Sequence, residues 1–83
     1  MPRYFIDTDD GDTQVFDDTG YELLDAETAR YMALDALPDM AREKLPDGDH
    51  RSFGVTVRND QRQIIYVATL ALMGGWKTVR SQK

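Results

Sequence analysis

The apolar residues at the start of the chain follow the spacing of two short β-strands. The segment Arg3–Asp7 (RYFID) is rich in aromatic and β-branched residues, which predicts a strand. The acidic run DDGD then breaks the pattern, and Gly11 can supply the reversal of a hairpin turn. Residues 13–17 (TQVFD) form the returning strand, with Val15 on one face and Phe16 on the other.

The middle of the chain, residues 26–45, repeats at helical spacing. Asp25 is the predicted N-cap, because its side chain can accept a hydrogen bond from the first turn. Pro38 interrupts the run, since it lacks an amide hydrogen and clashes with the carbonyl four residues earlier. The helix therefore either kinks at Pro38 or breaks near Leu37, and the continuing apolar stripe favours a kink. That stripe consists of Ala29, Ala33, Leu37, Met40 and Ala41.

Two further strands follow a turn-rich loop. Residues 52–58 (SFGVTVR) alternate, which places Phe53, Val55 and Val57 on one face. Residues 59–62 (NDQR) are typical of a hairpin connection. The last strand, residues 63–73, is apolar on both faces. One face carries Ile64, Tyr66, Ala68, Leu70 and Leu72, and the other carries Ile65, Val67, Thr69, Ala71 and Met73.

The order β-β-α-β-β predicts an α+β fold, an antiparallel four-stranded sheet with one helix packed on one face. We expect residues 1–73 to form a single domain and residues 74–83 a flexible basic tail. One helix covers one face only, so the second apolar face of the last strand predicts a homodimer, unless the tail folds back over it. The predicted dimer interface is Ile65, Val67, Thr69, Ala71, Met73 and Trp76.

Length and composition support a small protein that gains from a partner. A chain of 83 residues buries only a small core. The absence of cysteine excludes a disulfide framework and a thiolate zinc site. The longest apolar stretch, residues 64–73, is about half of the length that a membrane span needs. We therefore expect a cytoplasmic protein.

Charge is distributed unevenly along the chain. Residues 1–50 hold 14 acids and 4 bases, whereas residues 51–83 hold 1 acid and 6 bases. An acidic protein of pI about 4.6 is a poor partner for nucleic acid, because phosphate neutralisation supplies most of that affinity. We expect acidic and basic surfaces to meet within the fold or between copies. The candidates for nucleic-acid contact are Arg51, Arg58, Arg62, Lys77 and Arg80, with Tyr66 and Trp76 as stacking groups.

The acidic segment DTDDGD raises the question of a cation site. A calcium loop of the EF-hand type needs acids at positions 1, 3 and 5, Gly at 6 and an acid at 12. Counted from Asp7, position 5 is Gly11 and position 6 is Asp12, so the motif fails. We expect no functional metal site and no cofactor. The residues that remain as candidates are Asp7, Asp9, Asp12 and Asp18.

The sequence contains few residues that could serve in catalysis. His50 is the single histidine and lies beside Asp49 in a turn-rich segment. A histidine oriented by a carboxylate can act as a general base, but no nucleophile stands at a recognisable spacing from it. We interpret His50 as a solvated loop residue. The sequence predicts a protein without catalytic residues.

Several segments resemble a known family: MPRYFIDTDDG, DDTGYELLDAETAR, ALDALPDMA, LPDGD and VTVRND. The family is a small alphaproteobacterial one, common in rhizobia and classed as a domain of unknown function. The resemblance extends to about Leu72 and implies no activity, cofactor or catalytic residue. The order of strand, acidic turn, strand and helix is also similar to HicB-type antitoxins, which neutralise a ribonuclease and dimerise. YELLD stands where those proteins carry a proline–glycine segment.

The resulting hypothesis is a non-enzymatic homodimeric interaction module with a regulatory or stress-related role. Besides a second copy of the chain, the hypothesis includes a further, unidentified protein as a partner. The alternative is a HicB-like antitoxin or a nucleic-acid-associated regulator. The order of the strands within the sheet stays open at this point.

Overall fold

The computed structural model describes residues 1–78, apart from the side chain of Asp47. Its α+β fold, with an antiparallel sheet and one helix, agrees with the prediction. The strands are β1 (Arg3–Asp9), β2 (Gln14–Val15), β3 (Tyr21–Glu22), β4 (His50–Arg58) and β5 (Ile64–Met73). Helix α1 (Ala26–Lys44) lies between β3 and β4 and is followed by a 3₁₀ turn, Leu45–Asp47.

The sheet has the strand order β2-β1-β4-β5, with β3 paired to the start of β1. Antiparallel pairing of β1 with β4 joins the N-terminal strand to the C-terminal hairpin and sets Ile6 opposite Val57. One edge of the sheet is formed by the two short strands β2 and β3. The other edge is β5, a continuous strand of ten residues.

The core lies between α1 and the central strands β4 and β1. The predicted face of β4 is confirmed, because Phe53, Val55 and Val57 are fully buried. Burying a side chain such as Phe53 stabilises the fold by about 2–3 kcal/mol. The predicted helix stripe is also confirmed, with Met40 only partly buried. The buried residues of α1 are Ala29, Ala33, Leu37 and Ala41.

Helix α1 has the predicted N-cap and is a single helix from Ala26 to Lys44. The predicted N-cap is confirmed, since the Asp25 carboxylate accepts a hydrogen bond from the Thr28 amide at 2.8 Å. The helix continues through Pro38 to Lys44, so the break considered near Leu37 does not occur. Leu37 and Ala41, on either side of Pro38, are buried in the core, and this packing stabilises the helix across the missing hydrogen bond.

The sheet contains one strand more than the sequence predicts. Residues 21–22, for which the sequence predicts no strand, pair with the start of β1. An ion pair between Arg3 and Glu22 at 2.9 Å ties the two strands together. Two residues are too few to show an alternating pattern, so only the tertiary fold reveals this strand. The first strand also extends to Asp9, which pairs with Gln14 on one side and Gly54 on the other.

The alternation predicted for β5 is correct except at its start. A register shift near Arg58 leaves Ile65 without a direct partner on β4 and sets Ile64 opposite Arg58. Ile64 therefore lies on the same face as Val67, not on the face of Tyr66. A bulge of this kind cannot be read from a strand that is apolar on both faces.

Helix α1 has 19 residues but carries charges along most of its length. Among residues 1–78, no helix combines the length and the apolar character that crossing a bilayer requires.

We predict that Pro38→Ala raises the free energy of unfolding by about 1–2 kcal/mol, because alanine restores a helical hydrogen bond and removes the ring clash. Pro38 is exposed, so the change removes no core packing. Urea unfolding followed by circular dichroism measures the effect. Glu43→Ala, an exposed change in the same helix, is the matched control and should alter stability by less than about 0.5 kcal/mol. Loss of stability in Pro38→Ala would show that the helix requires the proline geometry.

Candidate protein-interaction surface

The sheet has one face that α1 does not cover, which we call the open face. The register assigns its residues, because partners opposite each other point to the same side. Val57 faces the helix, so its neighbours Thr56 and Arg58 lie on the open face. The open face carries Phe5, Asp7 and Asp9 on β1, Thr56 and Arg58 on β4, and Ile64, Val67, Thr69, Ala71 and Met73 on β5.

Arg58 is the one buried charged residue of residues 1–78. Its Nε donates to Asp7 Oδ2 at 2.8 Å and its Nη2 donates to Asp7 Oδ1 at 2.9 Å, a bidentate ion pair. The guanidinium also lies over two aromatic rings, at 5.0 Å from the centroid of Phe5 and 4.1 Å from that of Phe16. We call these four residues together with Asp17 the Arg58 cluster.

Asp17 attaches the 10–20 segment to the sheet. Its backbone carbonyl accepts from Arg58 Nη2 at 2.8 Å, and its amide donates to Asp7 Oδ1 at 2.9 Å. Its carboxylate accepts from the amide of Ile6 at 3.1 Å, at a position of β1 between the pairings with β2 and β3. The same carboxylate accepts from the amide of Gly20 at 2.9 Å, where φ is +78° and glycine is favoured. The side chain thus replaces a missing strand partner.

The electrostatics of the Arg58 cluster favour charged carboxylates. Burial alone would raise the pKa of Asp7, but hydrogen bonds from Arg58 and the Asp17 amide outweigh it and lower the pKa. For Asp17, burial likewise raises the pKa, and the amides of Gly20, Ile6 and Thr19 lower it further than burial raises it. The hydrogen bond to Asp7 raises the pKa of Arg58. Asp7 and Asp17 are therefore charged at neutral pH, and Asp7 forms an ion pair with Arg58 in the folded protein.

The candidate cation ligands are occupied by protein groups. Asp7 is paired with Arg58. Asp9 accepts from the Gly11 amide at 2.8 Å, and Asp12 lies 3.2 Å from Arg51. Asp18 accepts from the hydroxyl of Thr19 at 3.4 Å, its one hydrogen bond among the described residues. Within residues 1–78, no group of three or more carboxylate, histidine or cysteine side chains is arranged to hold a metal ion.

The basic candidates for nucleic-acid contact do not form one surface. Arg51 Nη1 donates to the Asp10 carbonyl at 2.7 Å, and Arg58 is held in its cluster. Arg62 lies in the turn before β5 and Lys77 beyond its end, which a ten-residue strand separates by about 30 Å. Arg80 lies outside the described residues.

The remaining candidate residues, His50, Tyr66 and Trp76, do not lie together in one site. His50 is exposed at the first position of β4, so it belongs to a strand and not to a loop. Tyr66 lies on the helix side of the sheet beneath Arg30, whose guanidinium is 5.4 Å from its ring centroid. Trp76 is 98% exposed, so this residue does not pack back onto the open face as one alternative supposed; residues 79–83 of the predicted tail lie outside the described residues.

A trough of about 490 Å³ crosses the open face. Val15 and Phe16 form one wall, and Ile64 and Val67 of β5 form the other. The floor consists of polar or small residues, namely Asp7, Asp9, Gly54, Thr56 and Thr69. Its volume lies within the range of pockets that bind small molecules or large side chains. The ring of Phe16 stacks on the guanidinium of Arg58, and this contact places Phe16 at the side of the trough.

The outer edge of β5 adjoins this trough. Its ten residues include neither a charged residue nor a proline, the two features that commonly protect an edge strand. Val67 is 59% exposed and Met73 is 82% exposed. The helix packs mainly on β4 and β1, so β5 is covered only in part even on the helix side. All predicted interface residues are exposed: Ile65, Val67, Thr69, Ala71, Met73 and Trp76.

Sequence reasoning did not find the Arg58 cluster. Asp7 and Arg58 are separated by 51 positions, and no local pattern pairs them. The only available signal is the position of Arg58 on the polar face of an alternating strand. The sequence predicts Asp17 only as the last residue of the returning strand, and its hydrogen bond to the amide of Ile6 follows from the tertiary structure alone.

Comparison with protein families identifies the chain. The model of the domain of unknown function DUF6894 matches residues 3–71, and the chain belongs to this family. No curated protein matches the chain. No solved structure matches it either. Membership therefore confirms the resemblance to a family without an assigned role, and it brings no functional residues.

We predict that Asp7→Asn lowers the free energy of unfolding by about 3 kcal/mol at pH 7, because it leaves the buried Arg58 without its anionic partner. The folded pKa of Asp7 is below the ordinary value of 3.8. The stabilisation is thus complete above the unfolded pKa and is lost as pH falls through the folded pKa. The difference between wild type and variant should shrink below about pH 4.

Urea unfolding at pH 7, 5, 4 and 3, at one protein concentration, measures this difference. The control is Asp18→Asn, which removes an exposed carboxylate next to Asp17 and should change stability by less than about 0.5 kcal/mol. Equal losses in both variants, or a difference that stays constant down to pH 3, would contradict the role of the ion pair.

Proposed function

We propose that this member of the DUF6894 family is a non-enzymatic, homodimeric protein-interaction module that assembles through the outer edge of β5. The observation that carries the proposal is this edge, a long apolar strand at the end of the sheet without a charge or a proline. Such edges pair readily with another strand, because one row of backbone amides and carbonyls faces outward.

A second copy is the partner that the two edges of the sheet favour. The β2 side has a two-residue strand and nearby acids, Asp12, Asp17 and Asp18, which discourage pairing there. A self-complementary contact between two β5 strands is closed by a two-fold axis and leaves no further open edge of that kind. It would extend the sheet to eight strands in the main path, with both helices on the same side.

The side chains next to this edge support the same arrangement. Ile65, Val67 and Met73 would pack against their counterparts across the two-fold axis and lose exposed apolar area. Burial of about 25 cal/mol per Å² then adds to the main-chain hydrogen bonds. A regulatory or stress-related role would rest on this dimer, with a further protein as its target.

The alternative of a HicB-like antitoxin or nucleic-acid-associated regulator has less support from the described residues. Arg51 and Arg58 already neutralise acids of the same chain. Arg62 and Lys77 lie at opposite ends of β5. We therefore prefer the homodimer of undefined target.

We predict that Thr69→Lys weakens self-association at least about fivefold, because near the two-fold axis the new charge lies beside its own copy. Thr69→Glu should weaken it similarly. An equimolar mixture of the two variants should form a heterodimer tighter than either homodimer, since the charges are then opposite. Sedimentation equilibrium measures the dissociation constants, and native mass spectrometry identifies the heterodimer.

The matched controls are Thr13→Lys and Thr13→Glu, which place the same charges on an exposed residue at the opposite edge. These should leave self-association unchanged. A wild-type chain that stays monomeric at high micromolar concentration would overturn the proposal. A dimer that both Thr69 variants leave intact would place the interface elsewhere.

A further inference from the structure

Trp76 is an indole without a binding partner among the described residues. It is 98% exposed and follows Gly74 and Gly75. The amide of Gly74 donates to the Asp49 carbonyl at 2.7 Å, so the chain is held to the sheet up to this point. A side chain as large as tryptophan commonly contributes most when it enters a pocket of a partner.

The geometry of the proposed homodimer determines which part of the partner copy lies near Trp76. In an antiparallel pair of β5 strands, the end of one strand lies beside the start of the other. With the two-fold axis near Thr69, Trp76 of one copy would come close to Ile64 of its partner. Within one chain the whole of β5, about 30 Å long, separates Ile64 from the segment that carries Trp76, so a partner is needed to bring the two together.

The trough offers a suitable surface at this position. Ile64, which is 64% exposed, and Val67 form its wall on the β5 side, and Phe16 stands opposite. The guanidinium of Arg58 beneath Phe16 is already neutralised by Asp7. An aromatic side chain that packs against Phe16 there would lose water contact above a guanidinium whose charge is already paired.

Charge on the two surfaces is complementary. Trp76 is followed by Lys77, an exposed base. On the floor of the trough lies Asp9, whose carboxylate accepts from Gly11 and Gln14 but has no cationic partner within residues 1–78. A base entering beside the indole would supply that partner.

We propose that in the dimer Trp76 of each copy packs into the open-face trough of the other copy, against Ile64 and Val67. This inference rests on the proposed homodimer and adds the reciprocal insertion that completes each trough. The site is incomplete in one chain alone.

The single tryptophan of the chain makes the test direct. Trp76 fluorescence and its quenching by acrylamide are recorded over a dilution series, and sedimentation equilibrium gives the dimer fraction of the same samples. Emission should shift to shorter wavelength, and quenching should fall, in proportion to the dimer fraction. Trp76→Ala should raise the dissociation constant at least about tenfold, whereas Tyr31→Ala, an exposed aromatic on α1, should not.

Two variants test the trough itself. Ile64→Ser removes an exposed apolar wall. Gly54→Val fills the floor, where an added Cβ would lie 3.9 Å from the Ala68 carbonyl and 4.0 Å from Asp9, both ordinary contact distances. Both variants should still pair through the β5 main chain at high concentration while the indole emission remains that of an exposed side chain.

The outcomes separate the inference from the function on which it rests. A dimer whose Trp76 stays exposed, or whose emission shift survives Gly54→Val and Ile64→Ser, would overturn the insertion and leave the homodimer intact. A monomer at high micromolar concentration would overturn both. A shifted emission in the monomer would show that the tail occupies a site of its own chain, which also contradicts the proposal.

Discussion

The ion pair between Asp7 and Arg58 is the interaction on which the open face depends. It joins the first and fourth strands on the side that the helix does not cover, and through Asp17 it fixes the 10–20 segment above the sheet. Phe16 stacks on the guanidinium and becomes a wall of the trough. Because a buried charge without a partner is costly, an arrangement of this segment that separated Asp7 from Arg58 would be destabilised.

The two edges of the sheet differ for reasons that the sequence explains physically. One edge is interrupted by Gly11 and Gly20 and carries several carboxylates, so its strands are short and poorly suited to pairing. The other is an uninterrupted run of ten residues, which suits it for backbone pairing. The protein therefore has a protected edge and an accessible edge, and the proposed assembly uses the accessible one.

Much of the fold was predictable because its signals are local. Asp25 marks the helix start, and the alternation of Phe53, Val55 and Val57 marks the face that the helix covers. The candidate site was predictable only in part. The exposure of β5 follows from counting apolar faces, since one helix cannot cover two. The trough was not predictable, because its far wall depends on Arg58, which contacts residues more than forty positions away.

The opening segment DTDDGD shows which properties follow from the sequence and which depend on the tertiary structure. The sequence by itself determined that this segment makes a turn and that the motif for a calcium loop fails. Its pattern of apolar residues also determined that the chain adopts an α+β fold. Only the tertiary structure decided that Asp7 serves an arginine, that Asp12 serves Arg51, and that β5 lies at an edge. Turns and strand faces follow from neighbouring residues, whereas ion pairs and strand order depend on which distant segments meet.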